Sequence, residues 1–261
     1  MAYRVPILLI TYNSPSETKV SLKNLEKINP EYLFVFNDGH KSHQDYQKVF
    51  ETRNIILESS IVDKNKLLFE DNNLGLKDGV IKAITWFFSN IDYGIILEDD
   101  VIPSLDFFKF VELYLEELVS NPKISMISGY NYNFMSKRSI VFEAFFASIW
   151  GWATTKSDWD KFIDTITEFN KVKLIKNILK FTKNPYNIRN LYNEIKGTKL
   201  NQINSWAYLW DYYRYKNQKK AISSNINFVK NIGYGNHRTH ASSGTWDKPH
   251  NDYKFDFYRN I

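Results

Sequence analysis

Three adjacent carboxylates, Glu98, Asp99 and Asp100, follow the apolar run Tyr93-Gly94-Ile95-Ile96-Leu97. Like charges at the end of a buried strand repel one another, so something must offset them. Oxygen ligands of this kind suit Mg²⁺ or Mn²⁺. A divalent ion removes the repulsion and also brings in a diphosphate, stabilising the charge that develops as the diphosphate leaves. On a strand Glu98 and Asp100 share one face and Asp99 takes the other, but at a strand end all three can reach one ligand. The plainer alternative is a solvated acidic turn ahead of Pro103.

Two further polar clusters close apolar runs in the same way. Thr11-Tyr12-Asn13 follows residues 6–10, and Asn37-Asp38-Gly39 follows residues 32–36. The elements that must position them alternate. Strands are expected over 6–10, 32–36, 66–69, 93–97 and 124–127. Helices are expected from Ser14-Pro15-Ser16-Glu17 onward, with Ser14 and Glu17 as a capping box, and over 45–53. A further helix follows the Asn72-Asn73-Leu74-Gly75 loop, and others cover 103–118 and 156–169. Strand and helix in alternation imply right-handed crossovers and a mainly parallel, Rossmann-like sheet. Ligands of such sheets bind beyond the carboxyl ends of the strands, where all three polar clusters fall.

The 261 residues include 43% hydrophobic and 16% aromatic side chains, enough for a core and against disorder. With no cysteine, disulfides and thiolate-bound metals are excluded. The first apolar run is short and turns polar at Thr11, so no signal peptide is read, and no stretch nears the roughly 18 apolar residues of a spanning helix. A cytoplasmic protein is expected. The net charge of +5 suits anionic partners without choosing among nucleotides, nucleic acid and acidic membranes.

The stretch Ile95-Ile96-Leu97-Glu98-Asp99-Asp100-Val101-Ile102-Pro103, with Asp106-Phe107-Phe108 after it, resembles the DxD-type motif of GT-A nucleotide-sugar glycosyltransferases. Its EDD form is similar to that of the N-acetylglucosaminyltransferase I group. Ile10-Thr11-Tyr12-Asn13, Asn73-Leu74-Gly75-Leu76 and Trp150-Gly151-Trp152 extend the likeness, which is good over residues 5–110 and looser beyond. The resemblance implies one α/β domain of GT-A type. Residues up to about 104 would bind the nucleotide sugar, and the remainder would bind the acceptor and close as a lid. It implies transfer from a nucleotide-diphosphate sugar, a UDP-sugar, to a glycan or glycolipid hydroxyl with inversion. By the same likeness Thr11, Tyr12, Asn13, Asp38, Asn72, Gly75, Lys77 and Asp99 would line the nucleotide site. Glu98 would face the donor sugar and Asp100 would bind Mn²⁺ or Mg²⁺.

Inversion needs a base for the acceptor hydroxyl. In the similar enzymes an Asp stands in a tryptophan-flanked segment, here Ser205-Trp206-Ala207-Tyr208-Leu209-Trp210-Asp211, yet Ala207 occupies the position where it is expected. Either Asp211 acts instead, or another acid such as Glu143, or the chain is an inactive form. Trp150, Gly151 and Trp152 would form an acceptor floor, because flat aromatic faces stack on sugar rings; core packing is the alternative. His240, with His237 and Arg238 in a Gly-rich tail, is a candidate metal ligand or phosphate partner. Residues 171–199 hold eight Lys or Arg and one acid, Glu194, and would rest on an anionic membrane or simply be solvated. Nucleic acid is not expected as a partner. Two rivals to glycosyl transfer stand: a nucleotidyltransferase, against which the glycine-free loop Thr11-Tyr12-Asn13-Ser14-Pro15 counts, and a non-catalytic carbohydrate-binding module.

Overall fold

A computed structural model describes residues 2–131, 140–167, 171–180, 183, 185–203 and 205–233. Its strands are β1 (Ile7–Thr11), β2 (Leu33–Asn37), β3 (Leu67–Phe69), β4 (Tyr93–Glu98), β5 (Val101–Pro103), β6 (Ile124–Ser128), β7 (Val141–Ala144), β8 (Trp152–Thr155), β9 (Lys220–Ser224) and β10 (Val229–Asn231). Its helices are α1 (Pro15–Leu25), α2 (His43–Glu58), α3 (Gly75–Phe88), α4 (Leu105–Ser120), α5 (Lys156–Thr167), α6 (Lys171–Ile178), α7 (Pro185–Lys199) and α8 (Ala207–Lys216).

Eight strands make one sheet in the order β3-β2-β1-β4-β8-β6-β9-β7, and β5 pairs with β10 apart from it. β1, β2, β3 and β4 are mutually parallel, while β8 runs antiparallel to both β4 and β6. β9 is parallel to β6, and β7 is antiparallel to β9. The sheet is thus mainly parallel, with β8 and β7 reversed.

Alternation along the central strands divides the core into two layers. Ile7, Leu9, Leu33, Val35, Ile95 and Leu97 face one side, with Leu22 and Leu25 of α1, Ile56 of α2 and Phe107 and Val111 of α4. Leu8, Ile10, Phe34, Phe36 and Ile96 face the other, with Val80, Ile84 and Phe87 of α3, Trp159 and Phe162 of α5, and Leu209 and Trp210 of α8. Helices on both faces of a mainly parallel sheet give the expected α/β, Rossmann-like class.

Several local expectations change. The Ser14 side chain makes no cap hydrogen bond, and Ser16 Oγ donates to Glu17 instead, so the capping box does not form. α2 runs well past Arg53, because Val49, Thr52 and Ile56 continue its buried stripe. The aromatic segment Trp150-Gly151-Trp152 leads into β8, the inserted antiparallel strand, which begins at Trp152. Among the described residues no helix is long and apolar enough to cross a membrane.

Candidate functional site at the carboxyl edge of the sheet

Parallel register aligns the strand ends. Thr11 lies opposite Asn37, Asn37 opposite Phe69, and Ile10 opposite Glu98. The three polar clusters therefore do share one edge, as the alternation implied. What each side chain does there is more specific.

Asp38 is buried, and the start of α3 takes up its carboxylate. Its oxygens accept from the backbone N–H groups of Leu74 and Gly39 and from Asn73 Nδ2, at 2.8–3.2 Å. The Gly75 N–H also points to it. A helix N-terminus leaves donors unpaired, and Asp38 satisfies them from another element. Burial pushes its pKa up, and the three N–H groups pull it part of the way back. Gly39 permits this close approach, since a Cβ there would lie 2.4 Å from the Asn72 backbone. Asn72 itself is exposed and bridges to His40. Gly75 opens α3 at φ +79°, a conformation that suits glycine.

Thr11 is 2% exposed and is engaged within the protein: Oγ1 donates to the Phe36 carbonyl at 2.9 Å and accepts from Asn37 Nδ2. Asn37 Oδ1 in turn accepts from Arg53 Nε at 2.7 Å, and Arg53 lies 5.0 Å from the Phe69 ring centroid. Thr11 thus ties β1 to β2. Tyr12 OH and Asn13 Nδ2 both donate to Asp45 in the first turn of α2, which also accepts from the Lys41 N–H at 3.0 Å. Burial opposes ionisation of Asp45, but these hydrogen bonds outweigh it and hold its pKa low. Lys77 donates to Asn201 beyond α7 and lies 3.7 Å from Asp78 Oδ1.

Asn37, Asp45 and Arg53 were not among the residues singled out in the sequence. Asn37 stood inside the recognised turn. Asp45 and Arg53 lie on a polar helix, where one charge among many carries no signal.

At the acidic tip, Glu98 closes β4 half-buried, and Asp99 and Asp100 form the turn into β5. Burial, then the charges of Asp100 and Asp99, push Glu98 up to about 8. Asp99 Oδ2 lies 3.4 Å from the Tyr12 N–H, and its carbonyl accepts from Ser21 Oγ at 2.8 Å. The Asp100 carbonyl accepts from the Ile232 N–H at 2.8 Å, and the half-exposed Asp100 side chain lies against Gly233. His237, Arg238 and His240 follow shortly after Gly233 and lie outside the described residues.

Among the described residues no three His, Asp or Glu side chains gather closely enough to hold a metal by themselves. The donor chemistry still fits Mg²⁺ or Mn²⁺. Such ions accept one or two carboxylates and complete their shell with water and phosphate oxygens. Burial is the larger cause of the rise at Glu98, and the repulsion from Asp100 and Asp99 that adds to it is what a cation here would relieve.

The second half departs from expectation. Trp152 is 1% exposed, with ring centroids 5.6 Å from Trp206 and 5.2 Å from Trp210. Its faces are covered by protein, so it is a core residue and offers nothing to an acceptor. Gly151, at φ +59°, sits where a Cβ would meet Val229 at 2.6 Å, which accounts for the glycine by close packing. Trp150 is half-buried and packs edge-on against Tyr130 at 4.8 Å. Ala207 opens α8, and Asp211 lies one turn further on the same helix face. Asp211 accepts from the buried Arg214 at 3.3 Å. Burial nevertheless pushes it up to about 6, against the pull of Arg214. Glu143 is exposed on β7 and pairs with Lys220 at 2.6 Å.

No family model and no curated protein sequence matches the chain. Solved structures with a related fold include a cytidylyltransferase from Leptospira borgpetersenii serovar Hardjo-bovis, 14% identical with a TM-score of 0.37 over 63% of this chain and 65% of that one. The match thus spans just under two thirds of that enzyme. A Bacillus anthracis protein assigned as a glucose-1-phosphate thymidylyltransferase, in complex with a sucrose, is 11% identical with a TM-score of 0.35 over 63% of this chain and 75% of that one. A197 from STIV is 14% identical with a TM-score of 0.31 over 60% of this chain and 68% of that one. Likenesses this slight carry no argument about substrate.

Proposed function

We propose that the chain is a nucleotide-utilising transferase, and more narrowly a metal-dependent glycosyltransferase of GT-A type moving a sugar from a UDP-sugar to a glycan hydroxyl with inversion. The observation that supports it is the acidic tip of β4, set at the carboxyl edge beside the loops after β1 and β2, where three carboxylates stand together.

In this reading Asp100 would hold Mn²⁺ or Mg²⁺, and the ion, when bound, supplies the positive charge that steadies a leaving diphosphate. Asp99, held near the Tyr12 N–H, would meet the ribose. Glu98, at the end of β4, would meet the donor sugar. Asp211, the acid on the face of Ala207, takes the proton from the acceptor hydroxyl, and its raised pKa brings it toward the range useful for a base.

A nucleotidyltransferase is the second reading, and it is the activity in the names of two fold neighbours. The same carboxylates and the same edge would serve a metal-bound nucleoside triphosphate.

Thermal shift with a panel of nucleotides and nucleotide sugars, with and without Mn²⁺, tests the proposal. UDP or a UDP-sugar should raise the Tm only with Mn²⁺, and Asp100→Asn should remove the rise. Stabilisation by CTP or dTTP, with pyrophosphate released from the triphosphate as a sugar phosphate attacks it, would move the assignment to the second reading. No Mn²⁺-dependent ligand, or an unaltered response in Asp100→Asn, would end both. Given a donor, Ala207→Asp should raise transfer and Asp211→Asn should lower it.

A further inference from the structure

Helices α6 and α7 pack on each other and on α8, and the faces they turn outward are basic with apolar side chains among the cations. On α6, Leu174 and Ile178 are buried, whereas Val172 and Lys176 are exposed, followed by exposed Leu179 and Lys180. On α7, Ile195 is buried, and Tyr186, Arg189, Asn193 and Lys196 form an exposed stripe at helical spacing. Val172 is 61% exposed, Leu179 48%, Tyr186 71% and Leu200 52%. Leu179 and Tyr186 flank the connection between the helices, with Lys180 and Lys183 between them. Over residues 171–203 the one acid in the sequence is Glu194. It is half-buried, so its carboxylate is only partly turned to the outward face.

We propose that this helical hairpin docks the protein on an anionic lipid surface. Leu179 and Tyr186 enter the headgroup boundary, and Lys176, Lys180, Lys183 and Arg189 meet lipid phosphates. A nucleic acid would take up the cations but has no place for exposed Leu and Val side chains, whereas a lipid interface accepts both. Asn201, just beyond α7, accepts from Lys77 at the start of α3, so a docked hairpin also holds the first half of the chain close to the bilayer.

The test is co-sedimentation of the full chain with vesicles of phosphatidylcholine, with and without phosphatidylserine, with heparin and duplex DNA as competing polyanions. Binding is expected to the phosphatidylserine vesicles and to weaken with salt. Each cation near such a surface is worth about fivefold in partitioning, so Lys176→Gln/Lys180→Gln/Lys183→Gln should lower it roughly 100-fold. Leu179→Ser/Tyr186→Ser should weaken vesicle binding and leave heparin binding unchanged. All five positions are exposed, and melting curves check that the variants stay folded. Failure to sediment with phosphatidylserine vesicles would overturn the proposal. So would indifference to either set of substitutions, or a preference for DNA that the apolar pair does not affect. No activity assay enters, so the result is independent of the proposed transfer reaction.

Discussion

The carboxylate of Asp38 offers the sharpest test, because its sequence position suggests a ligand contact and its hydrogen bonds make it a clasp. Asp38→Ala leaves the N–H groups of Gly39, Leu74 and Gly75 without their acceptor and takes one of two from the Asn73 amide, which keeps the Gly39 carbonyl. A hydrogen bond to a charged group is worth about 1.5–3 kcal/mol when buried. Asn73 and Leu74 are half-buried, so water recovers part of the loss. About 3 kcal/mol in total is expected, somewhat more than a single helix cap. In a chain of this size that lowers the Tm by about 6–12 °C. Asp38→Asn keeps one acceptor oxygen and should lose less. Because the folded-state pKa of Asp38 is raised, the folded state binds the proton more tightly. The stability linked to this group is therefore present at low pH and declines as pH rises through the carboxylate range. The assay is urea unfolding across that range for wild type and both variants. A wild-type Tm in Asp38→Ala, together with lost nucleotide binding, would refute the clasp and return Asp38 to the ligand.

Trp152→Ala should cost about 3–5 kcal/mol in urea unfolding, since a buried ring is lost from a tryptophan cluster; a variant of wild-type stability with a weakened acceptor interaction would restore the acceptor-floor reading. Asp211, pushed up to about 6 from 3.8, should make the protein less stable as pH rises between those values, by at most about 3 kcal/mol. The fall should be shallower in Asp211→Asn, and equal slopes of urea midpoint against pH in the two proteins would contradict the raised pKa.

Local pattern made the first half legible. Continuous apolar runs marked β1, β2 and β4, and each ended on a polar cluster that the parallel register then aligned. Pro185 opens α7, because proline favours the first turn of a helix. β8 was hidden because an aromatic run fits a site as well as a strand, and only its partners in β4 and β6 identify it.

The sequence alone determined where strands end and which charges stand there, because side-chain periodicity and turn chemistry act over a few residues. Tertiary structure alone decided which of those polar groups remain for a ligand. Asp38 meets Leu74, Asn37 meets Arg53 and Asn13 meets Asp45 across separate elements. A carboxylate reads the same in sequence whether water, a cation or a helix terminus satisfies it, and only the packed chain determines which one reaches it.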